Sequence, residues 1–315
     1  MIPHVLATLL PAGPVARGME DLWWWMLWLG TAAFVVFAVA LALALRRRGE
    51  ADDEGVPLDD GRRSGRVWLV GAGVVQPAVL IGITFALTLV GMQALPEAEE
   101  GDLVIEVIGH QWWFEVRYPE AGVTTANEVH LPVGERVEFR LSSADVIHSF
   151  WIPQLAGKID MLPDGPTSLV VIADEPGEYP GQCAEFCGLQ HARMGLVARA
   201  EPREDFDAWL AAQAEPAAPP QGATAQRGQD VLRGSNCVEC HTIRGVDGVD
   251  GDRGPDLTHL ASRDTIAART LANEPALLRD WIHDPDAFKE GVDMPSSPLS
   301  DDDLDALVAY LEGLE

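Results

Sequence analysis

Basic residues are scarce in this chain: 22 Lys plus Arg stand against 49 Asp plus Glu, a formal charge of −27 over 315 residues. So acidic a chain lacks the positive face that a phosphate backbone demands, which argues against a nucleic-acid partner. Cysteine is sparse too, and four are too few for a disulfide-stapled secreted scaffold. Charge itself is missing from two long runs, 22–45 and 67–96, which speaks against a soluble cytosolic enzyme. Hydrophobic residues still make up 47% and mean hydropathy is +0.04, so wholesale disorder is excluded. The length suits two or three domains. What remains is a membrane-anchored protein with a large acidic soluble part.

A helix needs about 20 apolar residues to cross a bilayer core. The run 22–45 opens with Trp23, Trp24, Trp25 and Trp28, an interfacial belt, and the run 67–96 spans even with Pro77 inside it. A helical hairpin buried in a soluble core is the alternative. Arg46, Arg47, Arg48, Arg62, Arg63 and Arg66 lie between the runs, whereas only Arg17 precedes the first. The positive-inside rule then places the connection in the cytoplasm and both termini outside. Residues 1–19 have the length of a cleaved leader but lack its basic start. After Pro96, 41 acids face 15 basic residues, and the lysines there are Lys158 and Lys289. That field attracts a basic partner; salt adaptation is the bland reading.

The exterior divides by pattern. Residues 102–200 read as strands, with runs at 103–108, 136–141, 168–173 and 196–200 separated by Pro- and Gly-bearing turns, a small β-sandwich or barrel. Residues 202–213 read as a helix, and 211–222, with Pro216, Pro219 and Pro220, as a linker. From 223 onward the pattern is helical, at 225–232, 274–283 and 301–314. The domains expected are therefore a segment with a transmembrane hairpin (1–96), a β domain (97–213), a linker (214–222) and an all-α domain (223–315).

The segment 181–194 reads GQCAEFCGLQHARM, with Cys183, Cys187, His191 and Met194 spaced four, four and three apart. Another histidine, His148, ends a strand-like stretch at 145–148. Soft thiolates and a thioether with imidazole suit copper in electron transfer. Two thiolates on one tight loop can bridge two coppers, each with one histidine, with Met194 and a loop carbonyl as weak outer ligands. A structural zinc also accepts two Cys and two His, and a disulfide is a further alternative.

His148 with C-x-E-x-C-x-x-x-H-x-x-M resembles the binuclear CuA site of subunit II of haem–copper cytochrome c oxidases. The likeness covers residues 20–200 and includes GHQWWF at 109–114, DVIHSFW at 145–151 and LAGKID at 155–160. It implies a cupredoxin-like domain with CuA held by His148, Cys183, Cys187, His191, Met194 and the Glu185 carbonyl. It implies further that the Glu185 side chain reaches a magnesium ion at the boundary with subunit I, and that electrons enter at Trp112. Trp112 and Trp113 as an aromatic pair on a strand also read as plain core. The chain departs from mitochondrial-like members at Val70, roughly where those carry a glutamate seven residues before the proline of the second span. Any proton route there must then open in subunit I.

Cys237, Cys240 and His241 form C-x-x-C-H, the c-type haem attachment signature. Met294 is the one methionine after Met194 and suits the sixth iron position, with His259 and His283 as alternatives. Residues 254–257, GPDL, resemble the cytochrome c loop whose proline carbonyl, here that of Pro255, holds the proximal histidine. The whole chain resembles subunit II of a caa-type oxidase, with subunits I and III and an external donor as partners. The resemblance implies a proton-pumping terminal oxidase in which electrons run from the donor through haem c and CuA to haem a. A nitric oxide reductase with a CuA subunit, or a membrane-anchored copper-storage module, is the rival reading.

Overall fold

A computed structural model describes residues 10–51 and 61–315. The chain forms two units, Arg17–Leu95 and the remainder. Residues 1–9 of the leader-like stretch and 52–60 of the connection between the apolar runs lie outside the described residues. In the first unit, α1 (Pro14–Ala51) is followed by α2 (Gly61–Val70), a π-helical turn (Gly71–Val75) and α3 (Gln76–Gln93). Helix is thus broader than the uncharged runs, because charge limits membrane burial but not helix formation; α1 starts with Pro14, preset for a first turn. The π turn sits just ahead of Pro77, which lacks an N–H and crowds the carbonyl four residues back, so a widened turn accommodates it. Segments Pro14–Arg46 and Gly65–Gln93 are long and apolar enough to cross a membrane. Phe34, Phe37, Ile81 and Phe85 stay exposed, which removes the buried-hairpin alternative.

The second unit opens with two five-stranded sheets packed face to face. One has the order β3 (Val123–Ala126), β2 (Trp113–Tyr118), β1 (Leu103–His110), β5 (Val137–Ser143), β8 (Thr167–Val171). The other has β4 (Glu128–Pro132), β10 (Gly195–Glu201), β9 (Gly177–Cys183), β6 (His148–Trp151), β7 (Ile159–Met161). β1 and β5 run parallel, as do β4 and β10. Alternation drives the packing: Ile105, Val107, Phe139 and Leu141 turn inward to meet Phe114, Phe150, Leu155 and Leu196, all fully buried. This is the cupredoxin-like sandwich expected. Helix α4 (Arg203–Ala214) caps it with Phe206 buried and Trp209 stacked on His130 at 3.8 Å between ring centres.

Two local expectations need correction. Trp112 lies in the turn between β1 and β2 and not on a strand with Trp113. Residues 144–146 form a bend ahead of β6, because the Asp145 side chain takes the Gln111 and Val146 N–H groups that a strand would pair elsewhere.

After an extended stretch at 215–221, the chain is helical: α5 (Gly222–Arg233), α6 (Pro275–His283) and α7 (Asp301–Leu311), with a short hairpin of β11 (Thr265–Ile266) and β12 (Leu271–Ala272). Ser300 caps α7, its hydroxyl accepting from the Asp303 N–H at 3.2 Å, and three aspartates fill the first turn, favourable against the helix dipole. Helices α5 and α7 cross closely over a core of Leu232, Leu304, Leu307, Tyr310 and Leu311. The crossing depends on Gly228, where a Cβ would stand 2.0 Å from the Ala306 carbonyl oxygen.

Gly228→Ala would ordinarily gain about 0.5–1 kcal/mol of helix propensity. Here the backbone clash overrides that gain, and a net loss of about 1–3 kcal/mol is expected. Thermal unfolding of the full chain in detergent, followed by circular dichroism, checks this; an unchanged or higher midpoint contradicts the crossing.

Candidate functional site

Sheet register assembles the first donor cluster. β6 pairs β9 with Phe150 opposite Cys183, which brings His148 beside the end of β9. The loop that follows carries Cys187, then a single 3₁₀ turn (His191–Arg193), and returns to β10 at Gly195. Its neck is closed by the Cys183 N–H donating to the Met194 carbonyl at 2.9 Å. Gly109 on β1 lets the imidazole in, since a Cβ there would stand 2.8 Å from His148 Cδ2.

The sulfurs of Cys183 and Cys187 are 3.7 Å apart. His148 Nδ1 lies 3.9 Å from the first and His191 Nδ1 3.7 Å from the second, one imidazole per sulfur. Met194 Sδ stands 3.8 Å from the Cys187 sulfur, and the Glu185 carbonyl oxygen 3.2 Å from that of Cys183. Cys183, Cys187, His148 and Met194 are buried, and the donor atoms of His148, Cys183 and Cys187 all lie within 4.8 Å of one another. Both cysteines are free, so the disulfide alternative falls.

The electrostatics describe a pair waiting for cations. The Cys187 S–H donates to the Cys183 sulfur and, with His148, pulls the Cys183 thiol far below its ordinary range despite burial. The same contact and burial push Cys187 up. One thiolate forms readily; the second needs positive charge beside it. Burial disfavours the His148 cation, but the Asp145 carboxylate at 2.7 Å from Nε2 and the Cys183 sulfur outweigh it and raise the pKa. Asp145 thereby fixes the ring with Nδ1 toward the sulfur. The set of two thiols, two imidazole Nδ1 atoms, a thioether and a carbonyl fits a CuA-like copper site. The Glu185 carboxylate is half-exposed and pairs with the Lys158 ammonium at 3.0 Å through one of its oxygens.

The second site is a cavity of about 620 Å³, within the ~300–1,000 Å³ common for cofactor sites. Cys237, Cys240, His241, Pro255, Arg263 and Met294 line it. His241 Nδ1 lies 2.8 Å from the Pro255 carbonyl, so Nδ1–H donates there and Nε2 is left free. Burial lowers the His241 pKa and keeps the imidazole neutral, as a metal ligand requires. Arg263 is buried, donates to the Asp256 carbonyl, and has its Nε orphaned. A buried guanidinium short of partners beside a cavity suits the carboxylates of a haem. Of the alternative axial residues, His259 is engaged by the carbonyls of Glu315 and Glu215, and neither His259 nor His283 lines the cavity.

Trp112 belongs to both sites. Its indole N–H donates to the Cys187 carbonyl at 3.0 Å, beside a second donation from Gln111 at 2.7 Å, and it also lines the second cavity. Sequence reading missed the roles of Asp145, Gln111 and Arg263. For Asp145 a signal existed in its place three residues before His148, whereas Arg263 carries no local pattern.

Asp145→Asn should weaken copper binding about 10–100-fold, as loss of a ligand's orienting partner commonly does. Chelator competition on the purified full chain checks this, and unchanged affinity contradicts the orienting role. Copper loading should also release protons as the second thiolate forms, which pH-stat titration reads directly.

Residues 121–201 match the family described as "Cytochrome C oxidase subunit II, periplasmic domain", and 225–315 match "Cytochrome c". The chain is 34% identical over 98% of its length to cytochrome c oxidase subunit 2 of Alkalihalophilus pseudofirmus, covering 91% of that protein. It is 31% identical to the Bacillus subtilis subunit 2 over 77% of this chain and 70% of that one. Among solved structures, the periplasmic domain of subunit II of cytochrome oxidase of Bradyrhizobium japonicum is 29% identical, covering 38% of this chain and 96% of that chain at a TM-score of 0.36. With likeness across nearly its whole length, the chain belongs to the cytochrome c oxidase subunit II family, as a two-span membrane member whose periplasmic β part is fused to a cytochrome c domain.

Proposed function

We propose that this chain is the electron-relay subunit of a proton-pumping haem–copper oxidase. It takes electrons from an external donor through its cytochrome c part (223–315), passes them across its cupredoxin-like part (97–213), and delivers them to haem a of subunit I for reduction of oxygen to water. The hairpin (1–96) anchors it and the linker (214–222) joins the two soluble parts. The single observation that carries the reading is Trp112, which touches the Cys187 carbonyl and lines the cavity beside His241 and Met294.

When bound, a binuclear copper centre and a covalent haem supply one-electron redox chemistry. Cys183, Cys187, His148, His191, Met194 and the Glu185 carbonyl would hold the coppers. One imidazole per sulfur supports two shared metals over a single zinc. Cys237 and Cys240 would hold the haem by thioether bonds, His241 and Met294 its iron, with Pro255 fixing the His241 ring. Burial of His148, Cys183, Cys187 and Met194 excludes water from the copper donors and limits the solvent that must rearrange when charge moves. Fusion keeps the two centres at high effective concentration.

Subunits I and III are the membrane partners. Phe186 and Leu189, 77% and 65% exposed on the metal-bearing loop, support a docking face for subunit I. The cytochrome c part holds 19 acids and 8 basic residues, a net of −11, which favours a basic donor.

The purified protein should carry two coppers and one covalent haem per chain; one zinc in place of copper overturns the reading. Met194→Leu should change the near-infrared absorption and spin resonance of the copper centre and slow electron transfer while leaving covalent haem intact. Reduction by a basic cytochrome c should slow as ionic strength rises through the range where screening lengths fall below about 10 Å. A rate indifferent to salt removes the steering argument.

A further inference from the structure

The chain has two lysines, and one of them, Lys289, is 2% exposed. It follows α6 in the cytochrome c part, yet its Nζ donates to the Trp112 carbonyl of the cupredoxin-like part at 2.8 Å and stands 3.5 Å from the Ala267 carbonyl. Among the described residues no carboxylate pairs with it, and burial brings its pKa down to about 8. A buried ammonium without a counter-ion is costly, so its place calls for a reason. It also lines the cavity of His241 and Met294.

The surroundings are equally committed. Ala267, Ala268 and Arg269 adopt φ of 53°, 55° and 61°, the left-handed region, although none is glycine. The Ala268 carbonyl accepts the Gly195 N–H at 3.2 Å, and the Arg269 guanidinium donates to the Leu196 carbonyl at 3.0 Å. Gln190 donates to the Glu290 carbonyl at 2.7 Å, and Arg193 to that of Phe288. The segment holding His191 and Met194 is therefore gripped by the cytochrome c part on two sides. Three adjacent strained residues persist where docking over-determines them.

We propose that Lys289 is a positioning residue for electron exchange between the two centres, an ammonium that the cytochrome c part seats on the Trp112 carbonyl to hold that indole between the copper loop and the haem cavity. Backbone and indole of Trp112 are then each held, the one by Lys289 and the other by the Cys187 carbonyl. The charge acts as well: a cation beside both centres favours the form of each that holds the electron. The inference rests on the relay reading above.

The test uses the full chain with copper and haem loaded. Lys289→Met should slow electron equilibration between haem c and copper about tenfold or more after pulsed reduction. It should shift the haem c redox equilibrium about threefold toward the oxidised form at fixed poise. Amide exchange at Gly195 should rise as docking loosens. Lys289→Arg, which keeps the charge, should restore the redox equilibrium, and a merely structural lysine would not give that separation. Should the methionine variant fail to assemble, Lys289→Gln is read in its place by the same measurements. A folded, fully loaded Met or Gln variant with wild-type exchange rate and wild-type haem equilibrium overturns the inference while the relay stands. Absence of haem-to-copper exchange in the wild-type protein overturns the relay itself and the inference with it.

Discussion

Two thiols buried 3.7 Å apart are the constraint on which the molecule turns. Two full negative charges at about 4 Å repel by about 4 kcal/mol even at an effective dielectric of about 20. The pair therefore shares one proton until cations arrive, and the fold supplies everything else in advance. An imidazole Nδ1 faces each sulfur, a thioether and a carbonyl complete the shell, and Asp145 holds His148 by its far nitrogen. A site prepared in this way changes little when metal or electron is added, which is what repeated one-electron transfer requires.

Holding that loop is the task of both soluble parts. The sandwich fixes Cys183 and His148 through the pairing of β6 with β9, and Gly109 makes room for the ring. The far side of the loop is fixed by the cytochrome c part, through Gly195, Leu196, Gln190 and Arg193. The fused domain is thus a wall for the loop that bears Cys187, His191 and Met194. Trp112, in a turn where no strand periodicity governs it, is the residue on which the two parts converge.

The acidic exterior and the apolar hairpin divide the labour by solvent. Helices whose Phe, Ile and Val side chains remain exposed need hydrocarbon around them, and the widened turn before Pro77 keeps the second span helical despite the missing N–H. The soluble parts bear the excess negative charge, which keeps them solvated.

By itself the sequence determined the chemistry carried within short loops. C-x-E-x-C-x-x-x-H-x-x-M and C-x-x-C-H set sulfur and imidazole at spacings a single turn can close, and the two uncharged runs set the anchor, because both properties are local. The alternation at 103–108 and 136–141 likewise made the sandwich legible, since period-two burial is written residue by residue. Tertiary structure alone decided what local spacing cannot encode. Asp145 became the partner of His148 because a bend re-aimed it, Arg263 reached a cavity through a loop of no regular period, and Lys289 met Trp112 across 177 residues. Asp145 and His148 share one short window, but the bend that turns one toward the other is set from outside it, and the Lys289 contact depends on domain docking, for which no window of sequence contains both partners.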